Sequence, residues 1–228
     1  MAEKNTMPVR HIAFIMDGNG RWASQRLMPR ECGHKYGAKK FEEITRYCGK
    51  IGIDNVTVYA FSTENWKRPE KEVNAIISLF ADYIDKIDSE EEKTRIIFLG
   101  EKSAFGETIR AKMEDIESST ANYRRTLCIA MNYGGHAEIV DAVNRLIKSG
   151  IKEITEEDIT NTVCSGVVPP PDMIVRTGGE FRLSNFLLWQ SSYAELFFTN
   201  TLWPDFSKEE LDKMIEEFGK RKRRFGGV

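Results

Sequence analysis

Asp17-Gly18-Asn19-Gly20-Arg21-Trp22 follows directly on the apolar run His11-Ile12-Ala13-Phe14-Ile15-Met16. A short strand thus feeds a segment with one acid, two glycines and one arginine. Backbone N–H groups and Arg21 can hold a phosphate there, and Asp17 can hold the Mg²⁺ that accompanies one. Arg30, Gly33 and His34 come next, just ahead of a helical pattern, and a helix N-terminus with two guanidinium groups suits a diphosphate. Taken alone, the stretch reads more simply as a surface loop whose glycines serve turns, since a lone G-x-G is a weak phosphate signal. It has no third glycine for a dinucleotide fingerprint and no Gly-Lys-Ser/Thr for a P-loop.

Two more segments carry similar groups. Ser62-Thr63-Glu64-Asn65-Trp66-Lys67-Arg68-Pro69 ends the run Asn55–Phe61. Ser62 and Asn65 can donate to a ligand and Arg68 can bind phosphate; the plainer reading is a polar turn stiffened by Pro69 with Trp66 as a packing anchor. Arg176-Thr177-Gly178-Gly179-Glu180-Phe181-Arg182-Leu183-Ser184-Asn185 repeats the chemistry of the first segment, which suggests a second anion site. Glu195, at the start of Leu196–Phe198, is either a metal ligand or a solvated strand end. The tail Lys220–Gly227 has five positive charges and then glycines. It reads as a solvated helix end, as a contact for anionic lipid, or as a segment reaching a partner subunit's anionic ligand.

These segments need a scaffold. Residues 11–16, 55–61, 95–99, 126–131, 173–175 and 196–198 read as strands. Helical patterns run over 35–51, 71–88, near 103–120 and over 136–148, with a short helix capped by Thr155-x-x-Asp158 and a last one capped by Ser207-x-x-Glu210. Pro169-Pro170-Pro171 is a stiff connector. The alternation predicts one α/β domain over 1–228, a mostly parallel central sheet flanked by helices. Ligands in such sheets sit at the carboxyl ends of strands, where all three segments fall.

Composition narrows the classes. The 228 residues hold 33 basic and 35 acidic side chains, so no global field points to nucleic acid. No apolar run approaches the roughly 18 residues that span a bilayer. Cys32, Cys48, Cys128 and Cys164 form no Cys-x-x-Cys pair and read as reduced thiols of a cytoplasmic protein. Three histidines make a histidine-rich zinc site a poor fit.

Together the blocks 11–23, 29–34, 59–69, 132–135, 176–196, 202–206 and 223–227 closely resemble the cis-prenyltransferases of the bacterial undecaprenyl diphosphate synthase type. The resemblance implies successive additions of isopentenyl diphosphate to an allylic diphosphate, each forming a cis double bond. It implies Mg²⁺ on Asp17, with Glu195 as a second ligand. Gly18, Asn19, Gly20, Arg21, Arg30 and His34 would hold the allylic diphosphate, with Trp22 at its mouth. Ser62, Thr63, Glu64, Trp66 and Arg68 fall at substrate-contacting positions, and Asn65 falls where a proton acceptor is placed. Asn65 is a poor base in its own right, so Ser62 or a diphosphate oxygen stays open for that step. Arg176, Arg182, Leu183 and Ser184 would hold isopentenyl diphosphate. Arg224-Phe225-Gly226 would complete the partner's site in a homodimer, with 219–228 as the reaching tail and 1–10 as a flexible start. The growing chain needs a dry apolar cleft, for which the broad apolar face of 71–88 and the small Ala60 are candidates. Peripheral contact with the inner face of a membrane is the most implied for release of the product. Phe181 excludes the histidine metal ligand of some relatives, and Arg125 stands where some relatives have an apolar residue near the tunnel floor; an arginine there is expected to point out or to sit at the strand's start. A non-catalytic scaffold subunit would lack Asp17, Arg21, Arg30 and Asn65, all present here.

Overall fold

A computed structural model describes residues 8–87 and 93–222. Six strands form one sheet: β1 (His11–Ile15), β2 (Asn55–Ser62), β3 (Thr94–Leu99), β4 (Arg125–Tyr133), β5 (Met173–Arg176) and β6 (Glu195–Phe198). The order is β3-β4-β2-β1-β5-β6 and every pairing is parallel. From β1 the chain first builds one flank, with β2 beside β1, β3 at the edge and β4 inserted between β2 and β3, then returns to the other flank as β5 and β6. The order therefore reverses at β1, and the crevice at a reversal point is where open sheets bind ligands.

Seven α-helices accompany the sheet among the described residues: α1 (Asn19–Gln25), α2 (Arg30–Lys50), α3 (Glu70–Ile84), α4 (Gly106–Ser119), α5 (Gly135–Lys148), α6 (Glu156–Thr162) and α7 (Lys208–Lys220). Both faces of the sheet are covered, so strand side chains of either parity are buried. Ile12 and Phe14 of β1 join the larger core cluster with Phe41, Phe80 and Trp203, while Ala13 and Ile15 join a second one with Ile174 and Phe186. Both helix caps read from the sequence form: the Asp158 amide donates to Thr155 Oγ1 at 3.1 Å, and the Glu210 amide to Ser207 Oγ at 3.2 Å.

Three boundaries differ from the periodicity reading. The stretch after β1 is not a plain surface loop, because α1 lies within it; Gly18 turns the chain into that helix at φ +111. Next, α2 begins at Arg30, so Arg30, Gly33 and His34 lie on the helix rather than ahead of it. A Cβ at Gly33 would stand 2.0 Å from the Asn19 carbonyl oxygen and one at Gly37 2.2 Å from Asn19 Oδ1, so these two glycines let α2 press against the start of α1. Finally, α3 ends at Ile84, and the expected stretch 103–120 opens as a 3₁₀ turn at Lys102–Phe105.

Candidate active site

The three segments converge on one polar cavity of about 630 Å³ at the carboxyl ends of β1, β2 and β5. Asp17, Gly18, Asn19, Gly20, Arg21, Arg30, His34, Ser62, Glu64, Asn65, Arg68, Arg176, Arg182 and Ser184 all line it. Amides of residues 19–21 precede the first intrahelical bond of α1, from the Trp22 amide to the Gly18 carbonyl, and so remain available at the site.

Asp17 stands at the reversal point itself. Its Oδ2 accepts from Arg176 Nη2 at 3.0 Å and its Oδ1 faces Arg21 Nη2 at 3.2 Å. Arg176 is almost fully buried; its Nη1 donates to the Arg182 carbonyl and to Ser184 Oγ at 2.7 Å. Arg176 Nε and Asn19 Oδ1 are buried without a partner, the mark of a site whose polar groups are not all satisfied by protein.

A second ionic cluster lies where α2 meets α3. Glu72 accepts from Arg30 Nε at 3.2 Å, from Arg68 Nη1 at 3.0 Å and from His34 Nε2 at 3.1 Å. Its side chain is 7 % exposed. Burial alone would raise its carboxyl, but the His34 hydrogen bond and the charges of Arg68 and Arg30 outweigh that and hold it below the usual range. Burial pushes the His34 imidazole down, against the pull of Glu72. The neutral ring then donates through Nε2, because a carboxylate only accepts. The sequence reading missed Glu72. Its signal was its place four and eight residues before Ile76 and Phe80, a charge on the apolar stripe of a helix.

Asn65 is held differently from the acceptor expected there. Its Oδ1 already accepts the Ser62 amide at 3.1 Å, so the group left for a ligand is its NH₂, a donor. Glu64 lines the cavity and accepts from Asn185 Nδ2 at 2.9 Å. Burial would raise its carboxyl, yet bonds from Asn185, its own amide, Ser62 and Thr63 leave it below the usual range.

Several expected residues do not line the cavity. Trp22 is buried, donates to Asp205 Oδ1 at 2.6 Å and packs on Tyr36. Trp66 donates to Asn132 Oδ1 at 2.8 Å and packs edge-on against Phe61. Thr63 faces Gly134, and Leu183 packs on the second core cluster. Glu195 does not join Asp17 within the subunit. It pairs in register with Met173, which pairs with Ile12, so it begins its strand at the opposite end of the sheet. Five residues of strand rise put it about 16 Å from Asp17 along the strand direction. Its partner is Arg221 at 2.7 Å. Phe181 is 73 % exposed and leans on Phe198. Arg224 and Gly226 lie outside the described residues.

Below the polar cavity an apolar pocket of about 110 Å³ continues between α2 and α3. Met16, Ala60 and Ile76 border both, and Phe41, Leu79, Phe80 and Tyr83 line the lower part. Ala60 is skipped by the β2–β4 register between Tyr59 and Phe61, an irregularity of the kind that re-aims a side chain beside a site. Arg125 starts β4, as expected, and borders a separate cavity with Arg46, Lys86 and Glu42 at the other end of the sheet.

The family described as "Putative undecaprenyl diphosphate synthase" matches residues 15–226. An isoprenyl transferase of Fusobacterium nucleatum is 49 % identical over 222 residues, 96 % of each chain. One from Neisseria gonorrhoeae is 47 % identical over 98 % of this chain and 91 % of its own. Among solved structures, a lavandulyl diphosphate synthase from Lavandula x intermedia, in complex with dimethylallyl diphosphate, superposes with a TM-score of 0.90 at 28 % identity, covering 96 % of this chain and 99 % of that one. A probable undecaprenyl diphosphate synthase from Campylobacter jejuni gives 0.80 at 34 % identity, covering 96 % and 98 %. With a strand-end cavity lined by Asp17 and five arginines, and with relatives of this identity over nearly its whole length, the chain belongs to the undecaprenyl diphosphate synthase family of isoprenyl transferases, the cis-prenyltransferases.

Proposed function

We propose that the protein elongates an allylic diphosphate, farnesyl diphosphate in the first instance, with isopentenyl diphosphate units. The product would be a long cis-polyprenyl diphosphate, undecaprenyl diphosphate for a cell-wall lipid carrier. The observation that carries this is the pairing of one polar cavity, lined by both arginine sets, with an apolar pocket directly beneath it.

In this reading Arg30, His34, Arg68 and the free amides at the start of α1 hold the allylic diphosphate. Arg176, Arg182 and Ser184 hold isopentenyl diphosphate, and the prenyl chain runs down between α2 and α3. Asp17 fits Mg²⁺. It is one of two carboxylates that line the cavity, with Glu64, and no group of three or more acidic, His or Cys side chains able to hold a metal ion exists among the described residues. A small hard cation carried by diphosphate oxygens and water needs only one or two protein carboxylates. When bound, such an ion would neutralise charge on the departing diphosphate. The bond from the allylic C1 to the diphosphate oxygen breaks and its electron pair leaves with the diphosphate. The isopentenyl C4 attacks C1, and a proton leaves C2. Asn65 orients that substrate as a donor, and the proton passes to a diphosphate oxygen. Preorganised arginines stabilise the charge that develops.

We assign Glu195 and Arg221 to the base of the tail that completes a partner's site in a homodimer, rather than to the metal of their own subunit. No described helix is long and apolar enough to cross a membrane. Release of the product at the inner membrane face would then use peripheral contact.

The test is a product-length assay with purified protein, Mg²⁺, farnesyl diphosphate and labelled isopentenyl diphosphate. A ladder ending at undecaprenyl diphosphate is expected. A shorter end product keeps the chemistry and changes the biology; no incorporation with several allylic primers overturns the reading in favour of a scaffold subunit.

A further inference from the structure

Asn185 has no role in the reading above, yet it is the joint between three strand-end loops. Its backbone is left-handed at φ +64, next to Ser184 at φ +49. Its Nδ2 donates to Glu64 Oε1 at 2.9 Å, in the loop after β2. Its Oδ1 accepts from the His136 amide at 2.9 Å and its carbonyl from the Gly135 amide at 2.7 Å, both at the start of α5 after β4. Its own loop follows β5. The side-chain amide can sit only one way round: the His136 amide can only donate and the Glu64 carboxylate only accept. The approach is close, since a Cβ on Gly134 would lie 2.8 Å from Asn185 Nδ2.

The connection continues. Ser184 Oγ accepts from Arg176 Nη1 at 2.7 Å, and Arg176 Nη2 holds Asp17 Oδ2 at 3.0 Å. A single path thus runs Glu64–Asn185–Ser184–Arg176–Asp17 across the carboxyl edge of the sheet. Arg30, His34 and Arg68 are not on it; Glu72 holds them separately.

We propose that Asn185 is a positioning residue for the second substrate. By tying its loop to Glu64 and to the start of α5, it fixes Ser184 and, through Ser184, the Arg176 guanidinium. This rests on the assignment of Arg176, Arg182 and Ser184 to isopentenyl diphosphate. A loop pinned before the ligand arrives loses less conformational freedom on binding, so loosening it weakens binding of the ligand it presents.

Asn185→Asp isolates one arm. Aspartate tolerates the left-handed backbone and still accepts from the His136 amide, but its other oxygen meets the Glu64 carboxylate acceptor to acceptor. The expected result is a rise in the KM for isopentenyl diphosphate of about tenfold, with the farnesyl diphosphate KM and the melting temperature little changed. Adding Glu64→Gln supplies an NH₂ that donates to the new carboxylate and restores the bond with reversed polarity. Glu64 lines the cavity itself, so the double variant is read against Glu64→Gln alone: its isopentenyl diphosphate KM should fall back toward that of Glu64→Gln, with the farnesyl diphosphate KM and the melting temperature unmoved by the Asn185 change. Asn185→Gly, which accepts the backbone and drops both side-chain bonds, should match Asn185→Asp if the latter does not fold.

An unchanged KM in Asn185→Asp overturns the proposal. So does a double variant no better than the single one, or a parallel loss in both KM values and melting temperature. Arg182→Ala is the control for the underlying assignment: if it leaves the isopentenyl diphosphate KM unchanged, the substrate assignment has failed and the inference falls with it. If Arg182→Ala raises that KM and Asn185→Asp does not, only the inference fails.

Discussion

Two carboxylates in this site each collect two arginines, and they are put to different use. Glu72 is almost closed off and does not line the cavity, although Arg30, His34 and Arg68 around it do. It takes one donor from each arginine and leaves the other N–H groups of both guanidinium forks for a ligand. Asp17 lines the cavity itself, its side chain 32 % exposed between a buried Arg176 and a half-exposed Arg21. The same two-arginine arrangement therefore makes an internal counterion in one case and an accessible, partly neutralised ligand in the other. Depth decides which. A carboxylate behind the cations can only set their positions, whereas one level with them can meet what they bind.

The largest expected effect follows from that difference. Asp17→Ala should lower turnover by at least ~10²-fold with the fold intact, by loss of preorganised charge at the reacting centre. Steady-state kinetics beside a thermal melt checks it, and near-normal turnover would contradict the accessible role. Glu72→Gln should leave turnover within a few-fold and raise the allylic diphosphate KM by about tenfold, since Arg30 and Arg68 lose a charged hydrogen-bond partner and splay into solvent. If the two variants instead lose turnover alike, the contrast between the carboxylates is wrong. Arg224→Ala should have a smaller effect, a higher isopentenyl diphosphate KM with the allylic one unchanged. An unchanged KM would leave the tail a solvated helix end.

How much of this was legible beforehand follows the same divide. The cavity-facing residues announce themselves, because Asp17, Arg21, Arg176 and Arg182 sit beside glycines directly after strand-like runs. Strand positions were legible too, since a doubly covered parallel sheet leaves short continuous apolar runs. What stayed hidden depends on contacts remote in sequence. Glu72 meets His34 across 38 positions and Asn185 meets Glu64 across 121. Helix α1 was masked by Gly18 and Gly20, which read as turns until Gly33 and Gly37 of α2 are seen giving way to Asn19. The distance between Asp17 and Glu195 needed the β1–β5–β6 register, which no local pattern encodes.

The smallest expected effect is on acid stability, and it sharpens the contrast from the side of the inner cluster. His34 is pushed below its ordinary value by burial, so the unfolded chain takes up a proton first as the pH falls under about 6.5. Stability is therefore complete above that value and declines through the window down to the folded His34 pKa. Glu72 is also held low, by His34, Arg68 and Arg30 against its burial, so its contribution disappears at a lower pH with the same sign. One extra proton bound by the unfolded state is worth at most about 1.4 kcal/mol per pH unit. For a chain of this size that is about 3–6 °C in Tm. His11, buried against Thr57 and Pro169, is lowered as well and adds its own slope in the first window. The measurement is thus a difference: Tm against pH from 7 to 5 for the wild type and for His34→Gln. The variant should keep the His11 slope and lose the remainder. Parallel curves would mean that His34 is not held down by the cluster around Glu72, and that the inner carboxylate does less to organise its cations than its geometry requires.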